Sequence, residues 1–177
     1  NNENAKATID LNFNRFTIAL ETRNDQVWLE KLAKFNISYL PVFSTFLTQE
    51  EKRTPAVIED ALARGRVNSV IRNLLFDLKK ENKIQDLEII LRNAIPAFNN
   101  LKVNFDEITD RYINVLYTEE GKKKGFDLFM AGSGFQQFVY LFGFILLKNP
   151  NVLLLDEPDV HLHGTLQGSL LEELKRL

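Results

Sequence analysis

The segment Val152-Leu153-Leu154-Leu155-Asp156-Glu157-Pro158 constrains the fold of this chain more than any other. Four consecutive apolar residues without alternation specify a strand buried on both faces, as in a parallel sheet covered by helices. Two carboxylates follow at its C-terminal end, the edge at which open α/β sheets hold ligands. Pro158 then turns the chain out of the ladder, because it has no N–H to donate. A buried strand ending in a solvated acidic turn would show the same pattern, so a second feature is needed before chemistry is assigned.

That feature lies upstream, at Gly132-Ser133-Gly134-Phe135-Gln136-Gln137. A Gly/Ser turn that opens directly into a helix presents unpaired N–H groups and the positive end of the helix dipole, which suits a phosphate. The same residues would also serve as a plain turn and helix cap. Apolar residues predict a helix over 135–147, Lys148-Asn149-Pro150 a turn, and 152–155 the strand. The step from Ser133 to Asp156 is 23 residues. At such a strand end Asp156 is a candidate Mg²⁺ ligand acting through water, since Mg²⁺ takes hard oxygen donors and gives up its waters reluctantly. Glu157 is a candidate catalytic group that orients and deprotonates an attacking water.

Glycine-rich turn, apolar helix, Asn-Pro turn and acidic strand end, in this order and at this spacing, resemble the signature motif and Walker B strand of ABC-type ATPases. The local sequence is similar to the SMC-like heads of the overcoming-lysogenization-defect (OLD) ATPases and their bacterial AAA-labelled relatives, antiphage defence ATPases among them. There the signature often reads Gly-Ser-Gly-x-Gln, as at 132–136, and the Walker B turn Asp-Glu-Pro-x-x-His-Leu-His, as at 156–163. Tyr39-Leu40-Pro41-Val42-Phe43-Ser44, Glu50 and Arg72-Asn73-Leu74-Leu75 look like the stretch between the Q-loop region and the signature. The resemblance runs over about 37–177 and is specific over 131–163. Two positions depart from the pattern: Phe135 stands where transporters have Gly, and Gly164 where the family often has Pro.

The resemblance implies an ATP hydrolase with Mg²⁺ at Asp156 and Glu157 as the catalytic carboxylate. It places Gly132, Ser133, Gly134 and Gln136 on the nucleotide of a second copy in a head-to-head dimer. It also places His161 and His163 on a D-loop beside that nucleotide. A His-x-His pair next to Asp156, Glu157 and Asp159 could instead hold zinc. DNA or an effector protein is the further partner it implies.

The remaining sequence predicts an α/β fold with a mixed sheet and a helical subdomain, and the resemblance implies that it is of the P-loop NTPase (ABC-type) kind. The segment 1–53 reads as β-rich, with a hairpin over 8–22 around Asn14-Arg15, an ambiguous stretch at 27–34, and a strand over 37–43 that Pro41 marks as an edge or bulge. The helical subdomain, 54–98, opens at Thr54-Pro55, with Thr as cap and Pro at the first helical position, and its first helix ends at Gly65. Further helices are predicted over 67–82 and 84–94, the last stopped by Pro96. The segment 99–177 holds strands over 101–108, 112–118 and 126–130, the signature helix, the Walker B strand, and a helix from Thr165. Arg64, Arg66 and Arg72 could form a basic face for DNA or a partner, or a solvated one.

Composition narrows the classes. A net charge of −2 leaves no global basic footprint. The absence of cysteine excludes disulfides and thiolate metal sites and fits a cytoplasmic setting. No apolar run reaches the roughly 18 to 20 residues of a membrane span. Nowhere in the 177 residues is there a G-x-x-x-x-G-K-S/T phosphate loop. That loop is expected upstream of residue 1 and the switch histidine after residue 177, so the 177 residues alone are expected to be inactive. A transporter nucleotide-binding domain and a non-catalytic regulatory or scaffolding module are the competing readings. The helices followed by three strands before the signature speak against the first of these, and intact Asp156, Glu157 and Ser133 against the second.

Overall fold

The computed structural model describes residues 36–177, together with the backbone of two strands, β1 (Lys6–Phe13) and β2 (Phe16–Arg23). These two pair antiparallel from Lys6↔Arg23 to Phe13↔Phe16, the hairpin expected there. Its turn residues and the ambiguous stretch 27–34 lie outside the described residues.

Strand β3 (Ile37–Leu40) pairs in parallel with β7 (Val152–Leu155), residue against residue from Ile37↔Val152 to Leu40↔Leu155. β3 is shorter than the 37–43 expected. It stops before Pro41, which has no N–H to continue the ladder. All four residues of β7 are half-buried rather than buried on both faces. A second sheet, antiparallel, joins β4 (Phe98–Asn104), β5 (Asn114–Glu119) and β6 (Phe126–Asp127). Both kinds of pairing are thus present, in separate ladders among the described residues. β4 ends before the predicted 108 because Asp106 closes a turn: its carboxylate accepts from the N–H groups of Ile108 and Thr109. β6 gives way after two residues to a 3-10 turn, Leu128–Met130, where Asp127 accepts from Phe129 N.

Helix α1 (Pro55–Ala63) begins where Thr54-Pro55 places it, although the Thr54 side chain makes no cap bond. Gly65 ends it at φ +68, with Gly65 N donating to Leu62 O and Arg66 N to Ala61 O. This paired C-terminal motif is one that glycine alone adopts cheaply. The predicted helix over 67–82 divides into a 3-10 turn, Val67–Ser69, and α2 (Ile71–Lys80). The cause is a distant cap: the Glu50 carboxylate accepts from Arg72 N and Asn73 N and so starts α2 afresh. Helix α3 (Ile84–Ala94) has the predicted bounds.

Helix α4 (Ser133–Lys148) is the centre of the molecule. Every residue from Gln136 to Phe144 is buried, so the helix is enclosed on all sides. It packs on α2 and α3. A Cβ on Gly143 would lie 3.4 Å from Leu75 Cδ2, a spacing that permits the close approach of α4 to α2. Asn149 closes α4 in the left-handed conformation at φ 43. Helix α5 (Gly164–Arg176) follows β7 and touches α3.

One polar cluster runs through this core. Arg72, only 2% exposed, donates to both Asp127 oxygens (2.6 and 3.1 Å) and to the carbonyls of Thr48 and Ile113. It is therefore not part of a basic face. Arg64 and Arg66, the other candidates for that face, both pair with Asp60. Beside Arg72, Asn73 Nδ2 donates to Glu50 at 2.6 Å, and Asn73 Oδ1 accepts from Arg53 N. Burial holds the Glu50 carboxyl above its ordinary range, against the opposing hydrogen bonds from Asn73 and Arg72.

Asp127→Ala leaves a buried guanidinium without its counter-charge and is expected to cost about 3 kcal/mol, read as a lower urea midpoint at unchanged slope. Glu50 binds its proton more tightly folded than unfolded. Its contribution is full below the ordinary carboxylate pKa and declines as pH rises through the raised value. The unfolding free energy of the wild type minus that of Glu50→Gln should therefore fall between pH 4 and pH 7, as measured by urea titration at both.

Candidate functional site

The two carboxylates stand at the C-terminal end of the parallel pair. Asp156 N donates to Leu40 O, which carries the ladder one residue beyond β7. The half-buried Asp156 carboxylate accepts from Tyr39 Oη at 3.0 Å through Oδ2. Glu157 is exposed and has φ 46, a left-handed conformation that costs a non-glycine residue of order 1 kcal/mol. The turn that holds it is closed by Val160 N to Glu157 O and Leu162 N to Asp159 O. Adjacent carboxylates thus occupy different settings, one anchored and one free to reach outward.

The glycine turn opens α4. Gly132 is the cap residue and Ser133 the first helical residue, two positions earlier than predicted. Both are exposed. Gly134 is where the turn meets the chain after β7: a Cβ there would lie 3.0 Å from Leu166 Cδ1 and 3.5 Å from Leu162 Cδ2. The glycine turn and the segment carrying the histidines therefore touch. Gln136, expected among the nucleotide contacts, is buried and its amide is engaged within the protein. Nε2 donates to Phe129 O and Ala131 O, and Oε1 accepts from Phe46 N. Its visible task is to shape the turn that precedes it.

His161 and His163 are both exposed. The His161 ring lies edge-on to Phe43, with centroids 5.8 Å apart. His163 precedes α5, where its carbonyl accepts from Leu166 N and Gln167 N. Among the described residues no three His, Asp or Glu side chains gather as a metal site, so the zinc reading of the pair finds no third ligand. A single anchored carboxylate does fit Mg²⁺, which keeps most of its waters.

The family model described as "AAA domain, putative AbiEii toxin, Type IV TA system" matches residues 6–177. The chain belongs to this AAA-domain family. It is an ATPase-type domain with a P-loop NTPase-like α/β fold. No curated protein and no solved structure matches the chain. None of the described helices is long and apolar enough to cross a membrane.

Tyr39, Gln137 and Asp127 have structural partners that the motifs do not indicate. Tyr39 carried a resemblance but no chemistry. Gln137 is the residue after the signature, and Asp127 sits inside what read as a strand. An Asp two residues before a backbone N–H it can cap is the local signal for Asp127. Tyr39→Phe should lower stability by about 1 kcal/mol by removing the bond to Asp156, seen as a lower denaturant midpoint with unchanged slope.

Proposed function

We propose that this domain is part of an ABC-type ATPase head of the OLD-like kind, in which ATP joins two heads and hydrolysis releases them. The single observation that carries this reading is the pair Asp156-Glu157 at the end of the β3–β7 ladder, with one carboxylate anchored and its neighbour exposed. Asp156 would hold Mg²⁺ through water, and its bond from Tyr39 fixes the direction of the carboxylate. Glu157, projecting from a left-handed residue, would orient the attacking water and accept its proton.

Mg²⁺ bound with ATP would neutralise charge developing on the transferred phosphoryl group. The rest falls to the chain. Gly132, Ser133 and Gly134 offer N–H groups and a hydroxyl at the positive end of a 16-residue helix, and these would meet the nucleotide held by a second copy. His161 and His163 lie on the segment that packs against this turn and would sit at the same junction. Differential affinity for ATP and ADP across that junction would turn hydrolysis into opening. A DNA-repair or phage-defence role, with DNA or an effector as partner, rests on the Gly-Ser-Gly-Phe-Gln and Asp-Glu-Pro-x-x-His-Leu-His resemblances.

Glu157→Gln in the full-length protein should lower ATP turnover at least about 100-fold while leaving ATP binding intact. It should also leave a dimer that persists with ATP and Mg²⁺ in size-exclusion chromatography. Unchanged turnover would remove Glu157 from the mechanism.

A further inference from the structure

Helix α4 carries the glycine turn at its N-terminus and, in its second turn, a glutamine with a partner on the carboxylate turn. Gln137 is 2% exposed. Its Nε2 donates to Pro158 O, the carbonyl immediately after Glu157. Its Oε1 is buried and accepts from no protein donor among the described residues. Beside it lies a cavity of about 10 Å³ bounded by Gln137, Tyr140, Leu155, Asp156 and Pro158. That is the size of a single water molecule. A buried amide half-satisfied against a backbone carbonyl is costly to keep in a core that Leu would fill as well. Packing therefore does not account for it.

The bond does account for something else. Glu157 is held at φ 46, and such a conformation persists only where its surroundings over-determine it. Leu40 O fixes the turn on the strand side through Asp156 N, and the Val160 bond closes it beyond. Gln137 supplies the side-chain tie from the helix. One residue before it, Gln136 fixes the glycine turn through Phe129 O and Ala131 O. We infer that Gln137 is the positioning residue for Glu157, tying the carboxylate turn to the helix whose N-terminus is the glycine turn. Glu157 is thereby held at a fixed position relative to the glycine turn. This inference rests on the role of Glu157 proposed above.

The test is Gln137→Leu in the full-length protein, since leucine keeps the bulk and removes the donor. With ATP and Mg²⁺, kcat should fall at least tenfold while KM for ATP stays within twofold, because the groups that would bind nucleotide are untouched. The thermal midpoint should remain close to that of the wild type. Amide exchange over 156–162 should accelerate at least tenfold, with α4 itself unchanged. Wild-type exchange over 156–162, or a wild-type kcat, overturns the inference. A loss confined to KM, or a general loss of protection, assigns Gln137 to packing and overturns it too. The two readings separate in the Glu157→Gln protein: wild-type turnover there removes Glu157 from the reaction, while the exchange data still decide whether Gln137 holds the turn.

Discussion

The Arg72 guanidinium is the constraint on which the rest of the structure depends. A buried positive charge must be surrounded by acceptors, and each acceptor here belongs to a different part of the chain. Thr48 lies on the loop after β3, Ile113 just before β5, and Asp127 at the end of β6. The backbone N–H of the same residue takes Glu50 as its cap. The guanidinium thus fixes where the 41–53 loop runs and where the antiparallel sheet ends, while Glu50 on the backbone of the same residue fixes where α2 starts. Because Asp127 also caps the 3-10 turn before Gly132, the charge pair sets the approach to the glycine turn.

From that point α4 transmits position in two directions. Its core residues, Phe138 to Phe144, are buried and the helix packs on α2 and α3, so it has little freedom to move alone. At its start, Gln136 is tied to the 41–53 loop through Phe46 N and to the preceding turn through Phe129 and Ala131. One residue later Gln137 reaches Pro158, and Tyr140 Oη donates to Pro41 O beside the end of β3. Burial pushes the Tyr140 hydroxyl above its ordinary range, so it stays a neutral donor. The glycine turn and the carboxylate turn are thereby two ends of one rigid assembly.

Legibility in the sequence followed the range of the interactions. Helix α3 and strand β7 have the bounds their patterns predict, because apolar periodicity and flanking Pro residues are local signals. Strand β3 stops early, α2 begins late and β6 is short, each for a reason that involves a partner or a turn. Pro41 cannot donate, Glu50 caps from a distance, and Asp127 turns the chain to meet Arg72. The arginines show the same limit. Three basic residues in one stretch suggest a face, yet one is buried against a carboxylate 55 positions away.

Two features were legible in the sequence alone: two carboxylates ending a strand, and a glycine turn opening a helix 23 residues earlier. These are local patterns, set by residue types and spacing within one stretch of chain. Only the tertiary structure decided how they are held. It anchored Asp156 to Tyr39, placed Glu157 in a left-handed conformation, withdrew Gln136 into the core and brought Gln137 onto Pro158. Those outcomes depend on groups distant in sequence meeting in a low-dielectric interior, where most buried polar atoms take partners that no local pattern names.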